Sequence, residues 1–359
     1  MHRLAHATFG ALLSCTFLSG LYAADELKSG TPELKHAGAL AFAPDGVLLV
    51  GDSLSASVFA IATSDGSSTE KANVNIEGIN QKIAAMVGSS VDDTTINDMA
   101  VNPMSGNVYL SVSRGRGPDA TPILFKADAK GNLSEVSLKD VKFAKASFEN
   151  APESGQDRRG QNPRMSAITD IQYQDGKVIV AGLSNEEFAS KLRVFNYPFD
   201  GQESSTSIEV YHGAHGALET RSPVRTFITY ENTVLAAYTC TPLVTIPVGD
   251  LNGEKVRGKT IAELGNRNTP LDMIVYKKGD EDYLLMANTA RGVMKLKLDK
   301  PEFDAAKSID SRVADKAGVP YETISDFENV VQLDKLNEQH AVLLVTNASN
   351  LDLKTVALP

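Results

Sequence analysis

The chain has 359 residues, 42% hydrophobic and 22% charged, with 27 Gly and 15 Pro, which is the composition of a globular protein long enough to bury a large core. Its 45 acidic against 35 basic residues give a formal charge of -10. That balance excludes the clustered Lys and Arg with which proteins hold nucleic acid or an anionic membrane surface.

The first residues read as an export signal. Arg3 supplies a small positive region, an apolar stretch runs from Phe9 to Leu21, and small residues follow at Ala23 and Ala24 before the acidic pair Asp25 and Glu26. The expected division is a signal peptide over 1–23 and one domain over 24–359, exported to the periplasm or secreted. The alternative is lipoprotein anchoring at Cys15, in "LLSC". No later segment has the run of about 20 apolar residues that a membrane-spanning helix needs. Removal of the signal leaves Cys240 as the one cysteine, so packing rather than a disulfide must hold the core.

From His36 onward one unit occurs six times. "GALAFAPDGVLLVGDSLSASVFAI" has a short apolar strand, an Asp45-Gly46 turn, a second strand, a polar break and a third strand. Its first two strands return at Asn97–Ser113, Thr169–Gly182, Val224–Tyr238, Leu271–Asn288 and Asn329–Asn347. Alternating apolar residues around turn dipeptides predict antiparallel hairpins, because strand side chains alternate between faces. Third strands are expected at Ala56–Ala62, Ile123–Ala127, Leu192–Tyr197, Leu243–Val248, Val293–Leu298 and Asn350–Ala357, with fourth strands at Thr206–His212 and Gly258–Gly265. Helical periodicity is confined to a short helix near Asp304–Lys316. Units about 50–60 residues apart fit propeller blades. The expected fold is all-β, a six-bladed β-propeller, with seven blades the alternative count. The last unit ends after its third strand, so closure is expected from the N-terminal "ELKSGTPELK", which would complete the last blade.

"GALAFAPDGVLLVGDSLSASVFAI" and "NDMAVNPMSGNVYLSVS" resemble the repeats of six-bladed propellers of the NHL and SMP-30/gluconolactonase-like group. The resemblance spans nearly all of the chain after the signal. It implies the fold and, by analogy with the lactonases, a metal at the channel mouth held by a carboxylate of the first blade and by Asn and Asp of later ones.

Propeller geometry then sorts the polar residues. Asp98, Asp170 and Asp272 stand at equivalent places near the start of first strands and would point toward the central channel. With Asn97 they form a candidate oxygen set for calcium or magnesium. The alternative is that such Asp residues hydrogen-bond backbone N–H groups of the neighbouring blade. The first blade departs from the lactonase pattern, with Ala39 where the carboxylate would stand and His36 the nearest polar group. The ends of the second strands carry Asp52, Arg114, Asn185, Cys240, Asn288 and Asn347, polar and different in each blade.

"YHGAHGALETRSPVR" (Tyr211–Arg225) places His212 and His215 three apart between glycines, with Cys240 ending a strand in the next blade. Two imidazoles and a thiolate suit zinc or copper. They equally suit a buried thiol beside a hydrogen-bonded loop, or a nucleophile with its base. The loops Glu149–Ala167 and Glu263–Asp272 add Arg158, Arg159, Arg164, Asn266, Arg267 and Asn268, which together with Arg114, Asn185 and Asn288 favour an anionic ligand. The chain has no Trp, and it lacks C-x-x-C-H, a Walker loop, H-E-x-x-H and G-x-S-x-G. Three functions follow, in order of preference. The first is binding of a small anionic molecule or a protein partner on the looped face, without catalysis. The second is metal-dependent hydrolysis of the lactonase or esterase type, with a divalent cation at the channel mouth. The third is zinc or copper handling in the periplasm.

Overall fold

The structure, a computed structural model, describes residues 27–67, 73–158, 160–240 and 242–359. The expected signal peptide, with Cys15, and Arg159 lie outside the described residues. The described chain is nearly all β, six sheets set as blades around a central channel, antiparallel but for the short parallel pairing of Ile208 and Glu209 with Val256 and Arg257. No helix among the described residues is long and apolar enough to cross a membrane.

All six expected hairpins are present and supply the inner two strands of the six blades, named one to six in chain order. The innermost strands are Leu40–Ala43, Thr94–Val101, Asp170–Gln174, Thr226–Tyr230, Pro270–Lys278 and Val330–Lys335. Turn chemistry fixes their registers. Asp45 and Gly46 have φ of 60° and 67°, and Asp175 and Gly176 have 48° and 78°. Two successive left-handed residues match the right-handed twist of the flanking strands, which is why Asp-Gly is favoured there.

The blades do not follow one another around the ring in chain order. Six hydrophobic clusters lie between blades, and each joins one pair. Leu49, Val58, Ile171 and Val180 join blades one and three. Leu48, Val50, Tyr109 and Leu124 join one and two. Met99, Leu110, Val342 and Leu344 join two and six. The remaining clusters join three to four, four to five and five to six. Blade one therefore sits between two and three, and the ring closes between six and two. The chain builds three strands of blade one, goes on to blade two, then returns to lay Val141–Ser147 against Ser57–Ala62 before starting blade three.

The closure expected from the N-terminus is corrected by this arrangement. Lys28–Gly30 pairs with Val141–Ser147 and adds a fifth strand to blade one, because Leu27 buries its side chain in the cluster between blades one and three. The outer edge of blade six is covered instead by the stretch between blades one and two. Ile76 N–H donates to the Leu353 carbonyl at 2.8 Å and Leu353 N–H donates back at 2.9 Å. A helix missed in the sequence, Ile79–Met86, follows at once and buries Ile79 and Ile83 between blades two and six.

The expected helix at 304–316 is also corrected, to Lys300–Ala305. Asp299 caps it by accepting from Glu302 N–H at 3.1 Å. Beyond Ala306 the chain spends its N–H groups on other blades, Ile309 on the Thr260 carbonyl and Val313 on the Gly213 carbonyl, so the helix cannot continue.

Candidate functional site

The innermost strands enclose a cavity of about 980 Å³ on the ring axis. Asn97, Asp98, Asp170 and Asp272 all line it, as does Asp334, which the sequence reading did not single out. The four aspartates share one hydrogen-bond pattern. The Oδ1 of each accepts from the N–H of the following residue, Met99, Ile171, Met273 or Lys335. The Oδ2 of each accepts from a first-strand N–H of the next blade: Asp98 from Leu40 at 2.7 Å, Asp170 from Phe227 at 2.7 Å, Asp272 from Leu333 at 3.0 Å and Asp334 from Val101 at 2.6 Å. Each carboxyl is thus a staple between neighbouring blades, at the junctions two–one, three–four, five–six and six–two. Where blade one has Ala39, the one–three junction is held by Ser53 Oγ donating to the Ile168 carbonyl at 3.2 Å. Asn97 bridges in the same way, with Nδ2 donating to the Ala37 carbonyl and to Ser113 Oγ, each at 2.8 Å.

These carboxyls are half-buried in the wall of the channel, where charging them is costly. Desolvation raises Asp98 to about 8, with the neighbouring Asp170 and Asp334 adding to the effect. Desolvation likewise raises Asp170 to about 7 and Asp334 to about 6. Asp272 is pushed well above the ordinary carboxyl value by desolvation and then by the charge of Asp98. The two backbone bonds on each carboxyl favour the charged form, and burial outweighs them. A carboxylate has about four lone-pair positions, so two remain on each staple for something in the channel.

A second centre lies where the outer part of blade three meets blade four. His212 ends the strand Glu203–His212, His215 follows in the turn, and Cys240 sits in the turn between Thr233–Ala237 and Pro242–Pro247. One nitrogen of each imidazole and the Cys240 sulfur lie within 4.8 Å of one another. Among the described residues this is the one such group of three His, Cys, Asp or Glu side chains. His212 and His215 stack with ring centroids 3.9 Å apart. Both Nδ1 atoms face Glu219, at 3.1 Å from Oε2 for His212 and 2.5 Å from Oε1 for His215. Ser222 Oγ donates to the same carboxylate at 2.6 Å. The His212 contact, with help from Ser222 and His215, draws Glu219 down to about 2. Cys240 holds a left-handed φ of 63°, pinned by its N–H donating to the Asn268 carbonyl at 2.7 Å.

The residues expected to grip an anion lie outside the axial cavity: of the seven among the described residues, Arg114, Arg158, Arg164, Asn185, Asn266, Arg267 and Asn288, none lines it. Arg114 donates to the Val87 carbonyl, Asn266 to the Ala314 carbonyl, and Asn288 is buried, donating to the Met286 carbonyl and accepting from Asn268. Arg158, Asn185 and Arg267 are exposed, and Arg164 is half-buried. Two groups at these centres, Asp334 and Glu219, escaped the sequence reading. Asp334 lies two residues beyond Gln332 on the same strand face, and Glu219 follows His215 by four residues.

The fold and its channel define a six-bladed β-propeller. No protein-family model matches the sequence, and no curated protein matches it at a significant level. Among solved structures the chain is similar to Drosophila Plexin A in complex with Semaphorin 1b, at 9% identity and a TM-score of 0.39, over 93% of this chain and 87% of that one. It is also similar to a chain in a Mitotic Checkpoint Complex, at 7% identity and a TM-score of 0.33, over 100% and 99% of the two chains. Scores this low carry no argument, and the blade assignment rests on the strand pairing itself. The likeness to the NHL and SMP-30/gluconolactonase-like group holds for the six-bladed fold, without a sequence-level match to that group.

Proposed function

We propose that this chain is an exported recognition propeller that takes a cationic group of its ligand into the axial channel, without turnover. The observation that carries the reading is four carboxyl groups, Asp98, Asp170, Asp272 and Asp334, converging on one cavity of about 980 Å³. Where those carboxyls ionise they reward a cation, although Arg225 and Lys335 line the same cavity. Among the described residues, the Arg and Asn expected to hold an anionic ligand do not line this cavity. Recognition is favoured over metal-assisted hydrolysis because, among the described residues, no three of the ring carboxyls bring ligand atoms within 4.8 Å of one another.

The test is a thermal-shift and calorimetric comparison of a polyamine, spermidine, with a tricarboxylate, citrate, near pH 7. A ligand present at a hundred times its Kd adds about 2.7 kcal/mol of stability. Spermidine should raise the unfolding midpoint, and Asp98→Asn with Asp272→Asn should remove most of that rise. Its binding heat should also vary with the ionisation enthalpy of the buffer, because partly protonated carboxyls release protons to admit a cation. Stabilisation by citrate, or a spermidine effect indifferent to both substitutions, would contradict the reading.

A further inference from the structure

Independently of the channel, we infer that His212, His215 and Cys240 form a binding site for a borderline-to-soft transition metal ion, zinc(II) or copper(I), clasping blade three to blade four. Three observations carry it. The ligand atoms already lie within 4.8 Å of one another. Around a tetrahedral ion with bonds of about 2.3 Å to sulfur and 2.0–2.1 Å to nitrogen, they would stand roughly 3.5 Å apart, so the pocket needs only a small closure.

The second observation is the way the imidazoles are held. Both Nδ1 atoms lie against the Glu219 carboxylate, 3.1 Å away for His212 and 2.5 Å for His215. A carboxylate behind a histidine, fixing its tautomer and ring orientation, is the usual support of a metal ligand. Neither ring nitrogen of His212 has a hydrogen-bond partner, although the side chain is only 2% exposed. A buried nitrogen of that kind costs free energy unless something binds it.

The third observation is Cys240 itself. It occupies a left-handed backbone position that glycine would fill without strain, and the Asn268 carbonyl holds it there beside the two rings. The ligand set is two nitrogens and one thiolate, a soft combination that suits zinc and copper and does not suit calcium or magnesium.

The experiment uses the full chain without an affinity tag. Zinc is titrated against a chromophoric chelator, copper(I) against a copper(I)-specific chelator under reductant, and cobalt(II) serves as the spectroscopic stand-in for zinc. One equivalent should bind, and cobalt should give a thiolate-to-metal charge-transfer absorption in the near ultraviolet. Cys240→Ser should abolish that absorption. Cys240→Gly should abolish it as well while preserving the fold, because glycine accepts the backbone angle. His215→Ala, at a half-exposed position, should weaken binding without loss of folding, and Glu219→Gln should weaken it about 10- to 100-fold. The relative affinities for the two metals decide between zinc and copper. Two results would overturn the inference: no stoichiometric binding of either ion by the unmodified chain, or binding that survives both Cys240→Gly and His215→Ala.

Discussion

At the residue scale, the repeated aspartate does two jobs that pull its ionisation in opposite directions. As a staple it accepts two backbone N–H groups, and as a channel wall it stands near like charges in a poorly solvated place. Burial prevails, so the folded protein holds protons on these carboxyls that the unfolded chain releases near pH 4. The folded state then binds more protons between about pH 4 and about pH 8, and stability must fall as pH rises through that window. The expected outcome is a lower urea midpoint at pH 8.5 than at pH 5.5, with a shallower slope in Asp98→Asn. A midpoint that rises over this interval would sink the reading. Asp98→Ala removes the staple itself and should cost about 1–3 kcal/mol, since the Leu40 N–H loses its partner. Three of the four staples were legible in the sequence, as Asp before an apolar strand. Asp334 was not, because Gln332 occupies the repeat position and its neighbour on the same face does the work.

At the element scale, the hairpins were legible because alternation and turn dipeptides are local signals. The pieces that join blades were not. Lys28–Gly30 has too few residues for any periodicity, and its partner strand lies more than a hundred positions away at Val141–Ser147. The helix Ile79–Met86 covers the edge of blade six with two buried isoleucines, too few to announce a helix in a β sequence. Its role makes a specific prediction. Ile83→Ala should destabilise by about 2–5 kcal/mol and expose the strand Asn350–Ala357 to hydrogen exchange. Removal of residues up to Gly30 should cost less and leave that strand protected, because blade one keeps four strands without the N-terminal one. Protection lost in the truncated chain would restore the N-terminal closure that the pairing rules out.

At the scale of the whole molecule, the ring runs one, three, four, five, six, two. Nothing in the repeat pattern could show this, since all six hairpins carry similar alternation and any of them could neighbour any other. The order is set by long-range burial, as where Leu110 of blade two packs in one cluster with Leu344 of blade six. Ala substitutions at those two positions should therefore be non-additive by about 0.5 kcal/mol or more. The same packing brings the four aspartates onto one axis, and it carries His212 and His215 from blade three to Cys240 of blade four. Residue types thus suggested the two candidate centres, while the tertiary order decided which of their members meet. Among the described residues, the loop arginines chosen by the same reasoning do not line the axial cavity. Carboxyl-carbon NMR titration of aspartate-labelled protein, with and without spermidine, tests the channel reading most directly. The account predicts that Asp98, Asp170, Asp272 and Asp334 titrate above the ordinary range and move down together when spermidine is present. Titration in the ordinary range near 4, or no response of the four to spermidine, would contradict it.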